Sequence, residues 1–577
     1  MGEKTLFLRK IHKQDLVGII SDTTKGILHN DLFPRILLIL SILSLSVIFL
    51  WPSPAEFPMD DTYIHLVYAE NLADQGKLFF NSPDEKGIGT SSILWTLILA
   101  GGKALGLSMH WVAKLLGIAS LVTVGLGLYS LLRPILTPMR ALIGSLAVVL
   151  SGHMLWFALS GMETMLFLAL AFLALVCYRN SRWGLLGILL GLLMLTRLEG
   201  VLLSIAIGVV EVLRHKMVRQ ELLLVGVIST IIGGSWILYL FLHTGNVLPT
   251  SGIGKQFSYS IGIQAIAERN RSLAVLGIFP GLVYPLILLL YFFEFVLGGI
   301  ALPPPKLQIN PGLGSISFPF SIWAILGLVG VIFPLCLSCI RWGKRIIKKP
   351  GWFHNENHLI LIIFFIWVMF HNLIYMILFP SIGTASRYEM MNHVALWLIL
   401  LFGLWSINKP YIKLCLAAGL TVIFIANTVY WNKVYDANLE HMQQVRISAA
   451  DYIRESIPMN EECASYDLGA IRYFSDRPIL DLGGLIDPSL INRFLDGNLD
   501  RYLVSNGVTC LILPGRTGVT SDGWFDFAEE MGLTNSNIIK LQQEKVFQID
   551  RERWLLGYLP VQNYQSTVTI YTIMKSK

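Results

Sequence analysis

The chain has 577 residues, 54% of them hydrophobic and 14% charged, with a formal net charge of +6 and a mean hydropathy of +0.62. A soluble protein of this length carries about a quarter charged residues, so the composition excludes a wholly soluble protein and points to an integral membrane protein. Its long apolar runs are unlike the alternating, roughly ten-residue segments of a transmembrane β-barrel, and Lys and Arg in such a chain report loop orientation rather than nucleic-acid binding.

Residues 1–35 include "LRKIHKQDLVGIISDTTKGILHNDLF", which reads as an amphipathic helix on the cytoplasmic surface. The first apolar run begins near Leu37 without a small-residue cleavage site and reads as a span, not a signal peptide. Spans are expected at 36–52, 111–132, 139–158, 162–178, 183–196, 199–213, 222–243, 318–340, 358–379, 389–406 and 412–430, about eleven in all. Basic clusters such as "RPILTPMR", "YRNSRW", "RHKMVR" and "RWGKRIIKK" then share one side, which the positive-inside rule makes cytoplasmic. This orientation predicts a multi-pass plasma (inner) membrane protein with a cytoplasmic N-terminus. The opposite side receives "MDDTYIH", "SGMET", "TRLEG", "LPTSGIGK", "TASRYE" and the C-terminal tail. Two further apolar runs are read as non-spanning: 92–107 as a juxtamembrane helix and 276–298 as re-entrant or peripheral. Cys336 and Cys339 have CxxC spacing inside an expected span, without a second pair, and are read as packing residues.

From about residue 431 charged and polar residues return, and short strand-like runs alternate with helical ones. Residues 431–577 therefore read as an extracytoplasmic α/β domain with a mostly parallel sheet. The predicted fold class is mainly α: a polytopic α-helical membrane domain over 36–430 followed by this outer domain.

The residues that stand out are Asp60 and Asp61, adjacent carboxylates at the exit of the first expected span. Their mutual repulsion in a partly buried site would raise one pKa, as suits a general base. His65 lies about one helical turn from Asp61, so both can face one cavity. Asp60, Asp61 and Glu163 have the hard oxygens a divalent cation prefers, but no metal is predicted.

The stretch "MDDTYIHLVYAENLADQGKLFFNSPDEKGIGTSSILWT" resembles the first outer loop (53–110) of the GT-C glycosyltransferases. It is most similar to the branch of AftB-like arabinofuranosyltransferases, near the family 39 protein mannosyltransferases. Asp60, Asp61, Tyr63, Asn71, Gly76, Asn81, Gly89, Thr90, Ser91 and Trp95 fit that pattern, while Met59 replaces its Phe and Val67 its Arg. The blocks "SGMETMLF", "LTRLEG", "GNVLPTSGIGK" and "SRYEMMNHVALWLIL" follow in the family's order. The resemblance implies a GT-C fold and an inverting hexosyl- or pentosyltransferase. It would move an arabinofuranose or mannose-like sugar from a polyprenyl-phosphate donor to a glycan, lipid or protein hydroxyl, with no other cofactor. It implies Asp60 as base and Asp61 as acceptor-orienting. Arg197, Lys255 and Arg387 become candidates to balance the leaving phosphate. Glu163, Tyr63, His65 and Tyr388 become substrate-binding candidates, and Glu199 the partner of Arg197. The partners expected are the bilayer, the lipid donor and the acceptor, and no nucleic acid. The competing reading is a non-enzymatic transporter or flippase of lipid-linked sugar. It would require neither an acidic outer loop nor an outer domain, and it often shows an internal repeat, which this chain lacks.

Overall fold

The computed structural model describes residues 31–51, 55–85, 87–215, 220–254, 284–285, 306–309, 316–319, 322–348, 355–378, 387–487, 489–490, 493, 496–514, 516–520, 523–549 and 567–575. The expected N-terminal amphipathic helix, most of the 276–298 run and Lys255 lie outside the described residues.

The membrane body contains helices α1 Leu32–Leu50, α2 Asp60–Gln75, α3 Ile93–Ala104, α4 Met109–Leu132, α5 Pro138–Val149, α6 Gly152–Leu159, α7 Thr164–Arg179, α8 Trp183–Thr196, α9 Val201–His215 and α10 Gln220–Thr244. A small antiparallel hairpin follows, β1 Lys306–Ile309 with β2 Ile316–Pro319. Then come α11 Ile322–Ile347, α12 Glu356–Leu378, α13 Met390–Trp405 and α14 Pro410–His441. Each segment read as a span contains a helix among its described residues. Among the described residues five helical segments are long and apolar enough to cross a bilayer alone, and α5 with α6, bent by 58°, makes a sixth. Part of the difference from about eleven arises where helices stop early. Helix α7 has 16 residues and α8 has 14, against the roughly 20 a perpendicular crossing needs. Helix α1 shows the local logic: Leu38, Ile42, Ser46 and Phe49 turn inward at helical spacing, while Leu40, Leu43 and Val47 face outward. Such exposed apolar stripes suit lipid.

Helix α14 does not end at residue 431. It runs through a π-helical turn, Met442–Ile447, into α15 Ser448–Ser456. Along it the packing partners change. Trp431, Val434, Tyr435 and Met442 belong to the membrane core, whereas Val445, Ala449, Ala450 and Ile453 belong to the outer domain's core with Cys463 and Ile471. A continuous helix, not a linker, joins the two halves.

The outer domain continues with β3 Glu462–Ser465, α16 Gly469–Ser475, β4 Ile479–Asp481, α17 Leu499–Ser505, β5 Val508–Pro514, β6 Arg516–Thr520, β7 Gly523–Asp526, α18 Phe527–Glu530, β8 Ile539–Gln548 and β9 Thr567–Lys575. Its main sheet has the order β4-β3-β5-β9-β8. The β3–β4 and β3–β5 pairs are parallel, but β5–β9 and β8–β9 are antiparallel. The sheet is therefore mixed rather than mostly parallel. The parallel half is linked through helices, and the last two strands pair as neighbours in sequence without a helical crossover among the described residues.

Helix α2 lies between the two halves. Met59, Tyr63, Leu66 and Ala69 join the membrane core. Ile64, Val67 and Tyr68, on the adjoining face, join the outer domain's core. The spacings of three and four residues explain the division.

Candidate active site

The start of α2 sets the site. Adjacent residues on a helix point about 100° apart, so Asp60 and Asp61 diverge. Both carboxylates occupy the first helical turn, where the helix dipole favours negative charge.

Asp60 turns to the outer domain. Its Oδ2 accepts from Gly469 N at 2.9 Å and its Oδ1 from Ala470 N at 2.8 Å. Arg446 Nη1 stands 3.9 Å from Asp60 Oδ1 and donates to Asp467 Oδ2 at 2.7 Å. The contact is close: a Cβ on Gly469 would lie 2.0 Å from the Asp60 carbonyl oxygen. Burial pushes the Asp60 carboxyl up to about 6, while the Arg446 charge and the Ala470 amide pull it back.

Asp61 turns to the membrane body. Its Oδ2 receives Arg387 Nη2 at 2.5 Å. The Asp61 side chain keeps 28% of its surface accessible, whereas Arg387 keeps 5%. Arg387 Nη2 also donates to Tyr388 Oη at 3.2 Å. Its Nη1 is buried without a hydrogen-bond partner among the described residues.

A second arginine stands beside the first. Arg197 leaves α8 in an extended conformation, and its Nε donates to Glu199 Oε1 at 2.6 Å. Arg197 Nη1 lies 3.5 Å from the Arg387 carbonyl and 3.7 Å from Glu163 Oε1. The Arg197 guanidinium sits 4.6 Å from the Tyr388 ring centroid, a cation–π contact. Tyr375 Oη donates to Glu199 Oε1 at 2.9 Å. Glu163 Oε2 has no hydrogen-bond partner among the described residues, though His65 Nε2 is 3.7 Å away. His65 Nδ1 meets Thr90 Oγ1 at 3.0 Å.

The structure thus gathers Asp61, His65, Glu163, Arg197, Glu199, Arg387 and Tyr388 into one buried cluster. It separates Asp60, which docks on the outer domain. Tyr63 turns into an aromatic group with Phe57, Tyr473 and Phe474, and its hydroxyl accepts from Phe57 N at 3.1 Å. Among the described residues no group of three or more His, Cys, Asp or Glu side chains is placed to hold a metal ion, so Asp60, Asp61 and Glu163 do not converge. His371, Tyr375 and Glu389 do not stand out in the sequence alone. His371 lies 3.8 Å from Glu389 Oε1 and stacks on Tyr375 with centroids 4.3 Å apart. Tyr284 and Asn392 both donate to Glu389. Polar residues within the apolar run "MFHNLIYM" were the available signal. Arg446 carried no signal, because its partners are remote in sequence.

Residues 435–571 match a domain of unknown function, DUF8728. A comparison with curated proteins gives no match. Among solved structures the chain is similar to ArnT from Cupriavidus metallidurans bound to undecaprenyl phosphate. That likeness has a TM-score of 0.50 at 12% identity and covers 93% of this chain and 97% of that one. It is also similar to the oligosaccharyltransferase AglB from Archaeoglobus fulgidus in complex with an inhibitory peptide and a dolichol-phosphate. There the TM-score is 0.52 at 11% identity, over 92% of this chain and 88% of that one. The apo form of the Archaeoglobus fulgidus oligosaccharyltransferase aligns with a TM-score of 0.51 at 13% identity, over 84% of this chain and 69% of that one. The chain shares the fold of these proteins: a polytopic helical membrane body carrying a C-terminal α/β domain.

Proposed function

We propose that the protein is an inverting glycosyltransferase of the extracytoplasmic membrane face. It takes a sugar from a polyprenyl-phosphate donor and places it on a hydroxyl of a glycan, lipid or protein. The resemblance of its outer loops favours arabinofuranose or a mannose-like sugar. The observation that carries this reading is the buried Arg387 beside the accessible Asp61, with one guanidinium nitrogen that has no hydrogen-bond partner among the described residues. A desolvated cation with a spare donor suits a phosphate oxygen. ArnT and AglB, which share the fold, have structures with undecaprenyl phosphate and a dolichol-phosphate.

In this reading the acceptor hydroxyl attacks the anomeric carbon as the carbon–oxygen bond to phosphate breaks. The hydroxyl proton passes to a carboxylate, because a sugar hydroxyl is a poor nucleophile until it loses that proton. Asp61 takes this role. Asp60, the base the family resemblance implies, has an amide donor on each of its oxygens and serves instead to hold the loop. Arg387 and Arg197 balance charge growing on the leaving phosphate. His65 and Glu163 face the acceptor. No step requires a metal, so treatment with a chelator should leave the transfer rate unchanged.

The test is transfer of radiolabelled sugar from a panel of polyprenyl-phosphate donors, in membranes containing the wild type or Asp61→Asn. Donor-dependent transfer that disappears in the variant supports the reading. Donor translocation without transfer, equal in both proteins, replaces it with the transporter.

A further inference from the structure

Of the six cysteines, Cys463 and Cys510 are the two that fall in the outer domain. They meet there. Cys463 lies in β3 and Cys510 in β5, and the parallel register sets each opposite the other. Opposed residues on neighbouring strands point to one face of a sheet. Both side chains accordingly enter the same apolar core, with Val445, Ala449, Ile453, Ile471 and Ile512. Neighbouring strands lie about 4.8 Å apart, within the roughly 4.4–6.8 Å between Cα atoms that a disulfide spans. The register shifts between Glu462 and Cys463, and such an irregularity lets β3 bend locally to bring the sulfurs together. The structure shows both as thiols, hydrogen-bonded to each other. That hydrogen bond, with the Arg477 charge, holds the Cys463 thiol below its usual range against the effect of burial. The same bond, with burial, raises the Cys510 thiol. Cys463 is therefore the better nucleophile of the two. The other four cysteines, Cys177 in α7, Cys336 and Cys339 in α11 and Cys415 in α14, sit on helices of the membrane body.

We propose that Cys463 and Cys510 are a covalent modification site: they close to a disulfide that ties β3 to β5 in the mature protein. The inference takes from the function above only the placement of the outer domain outside the cytoplasm, where disulfides persist. The oxidant is itself a disulfide, carried by a thiol–disulfide exchange protein or by glutathione. The Cys463 thiolate attacks one of its sulfurs and expels the other as a thiolate, which leaves a mixed disulfide. Cys510 then gives up its proton and attacks the Cys463 sulfur, expelling the second thiolate. Two thiols are oxidised, one disulfide is reduced to two thiols, and the two protons end on the expelled sulfurs. Cys463 and Cys510 are 0% and 2% exposed in the folded chain, so the exchange takes place as the domain folds, before its core closes. The bond encloses α16, β4 and α17. It also fixes the strand that leads into Asp467 and Gly469, which hold Arg446 and Asp60.

The experiment counts thiols in the full-length protein purified from membranes without reductant. The protein is denatured in excess maleimide and weighed by mass spectrometry, with and without prior reduction. The wild type should take up four maleimides unreduced and six after reduction, and its digest should contain the Cys463 and Cys510 peptides joined. The double variant Cys463→Ala, Cys510→Ala should take up four in both cases. Six maleimides on the unreduced wild type, or a bond between any other pair, overturns the proposal. A second measurement separates that failure from a failure of the placement. Met459→Cys, at a position 70% exposed, is added to the double variant, and right-side-out membrane vesicles receive a membrane-impermeant maleimide. Labelled vesicles together with six thiols in the wild type overturn the disulfide alone. Unlabelled vesicles together with six thiols overturn the extracytoplasmic placement as well.

Discussion

Asp60 and Asp61 are consecutive residues in one helical turn, yet they belong to different regions of the molecule. Asp60 faces the outer domain, with backbone amides on both oxygens and 12% of its side-chain surface accessible. Asp61 faces the membrane body, is more accessible, and has one oxygen on a buried arginine. A carboxylate whose acceptor positions are filled by backbone is a structural anchor. One that shares a side-chain cation can exchange that partner for a substrate. Type and position in the sequence do not separate the two; the surrounding donors do.

The comparison breaks most easily at Asp61. Asp61→Asn keeps size and polarity but removes the proton acceptor, and should lower transfer about 10²- to 10⁴-fold, the usual range for a lost general base. Tm should fall modestly, since the buried Arg387 keeps a polar neighbour but loses its counter-ion, so transfer is compared per folded protein. Transfer at wild-type rate in this variant would return Asp60 to the role of base. Next comes Arg387→Lys, which keeps the charge but loses the planar fork. Transfer should fall about 10- to 100-fold, or ~1.4–2.8 kcal/mol of barrier, with the donor KM rising. An effect confined to the acceptor KM would take the phosphate role away from Arg387.

Much of the site was legible because its residues sit at abrupt polarity changes. Arg197 and Glu199 interrupt apolar helices, and Arg387 and Tyr388 precede one, so charge at such depth already demanded partners. Their mutual pairing was legible too, at least for Arg197 with Glu199, two residues apart. The division of labour between Asp60 and Asp61 was not. It depends on Gly469 and Ala470, about 410 residues away, whose amides leave no trace in a hydrophobicity pattern. The outer sheet was legible as α/β because its strands and helices alternate in sequence. Its antiparallel half was not, since a strand's direction depends on the path of the connection rather than on its side chains. Composition changes near 431, but the helix carries on there and exchanges packing partners.

A third variant tests the junction alone. In Gly469→Ala the added carbon would meet the Asp60 carbonyl at 2.0 Å, and backbone on both sides leaves little room to yield. Overpacking of this kind costs about 1–3 kcal/mol. The Tm should drop, and transfer should fall by less than in Asp61→Asn, because α2 is displaced as a unit. A wild-type Tm would mean that the outer domain rides loosely on α2.

The smallest expected effect is also the most discriminating, because it turns on pH. Burial raises the Asp60 carboxyl from its ordinary value of 3.8 to about 6. Between these values the folded protein holds a proton that the unfolded chain has released, so this group's contribution to stability falls as pH rises from about 4 to about 6 and is flat above that. At 1.36 kcal/mol per pKa unit the slope integrates to at most ~3 kcal/mol. Asp60→Asn should remove this dependence and leave a constant penalty of about 1–3 kcal/mol, because the amide group of Asn confronts a backbone N–H with another donor. Melting curves of the purified protein across pH 4–7 read both terms. The transfer rate of the same variant carries the decisive contrast. An anchor that is weakened leaves a slower enzyme, within about tenfold of wild type, with its pH profile intact. A base that is removed leaves none, and with it no acidic limb near pH 6.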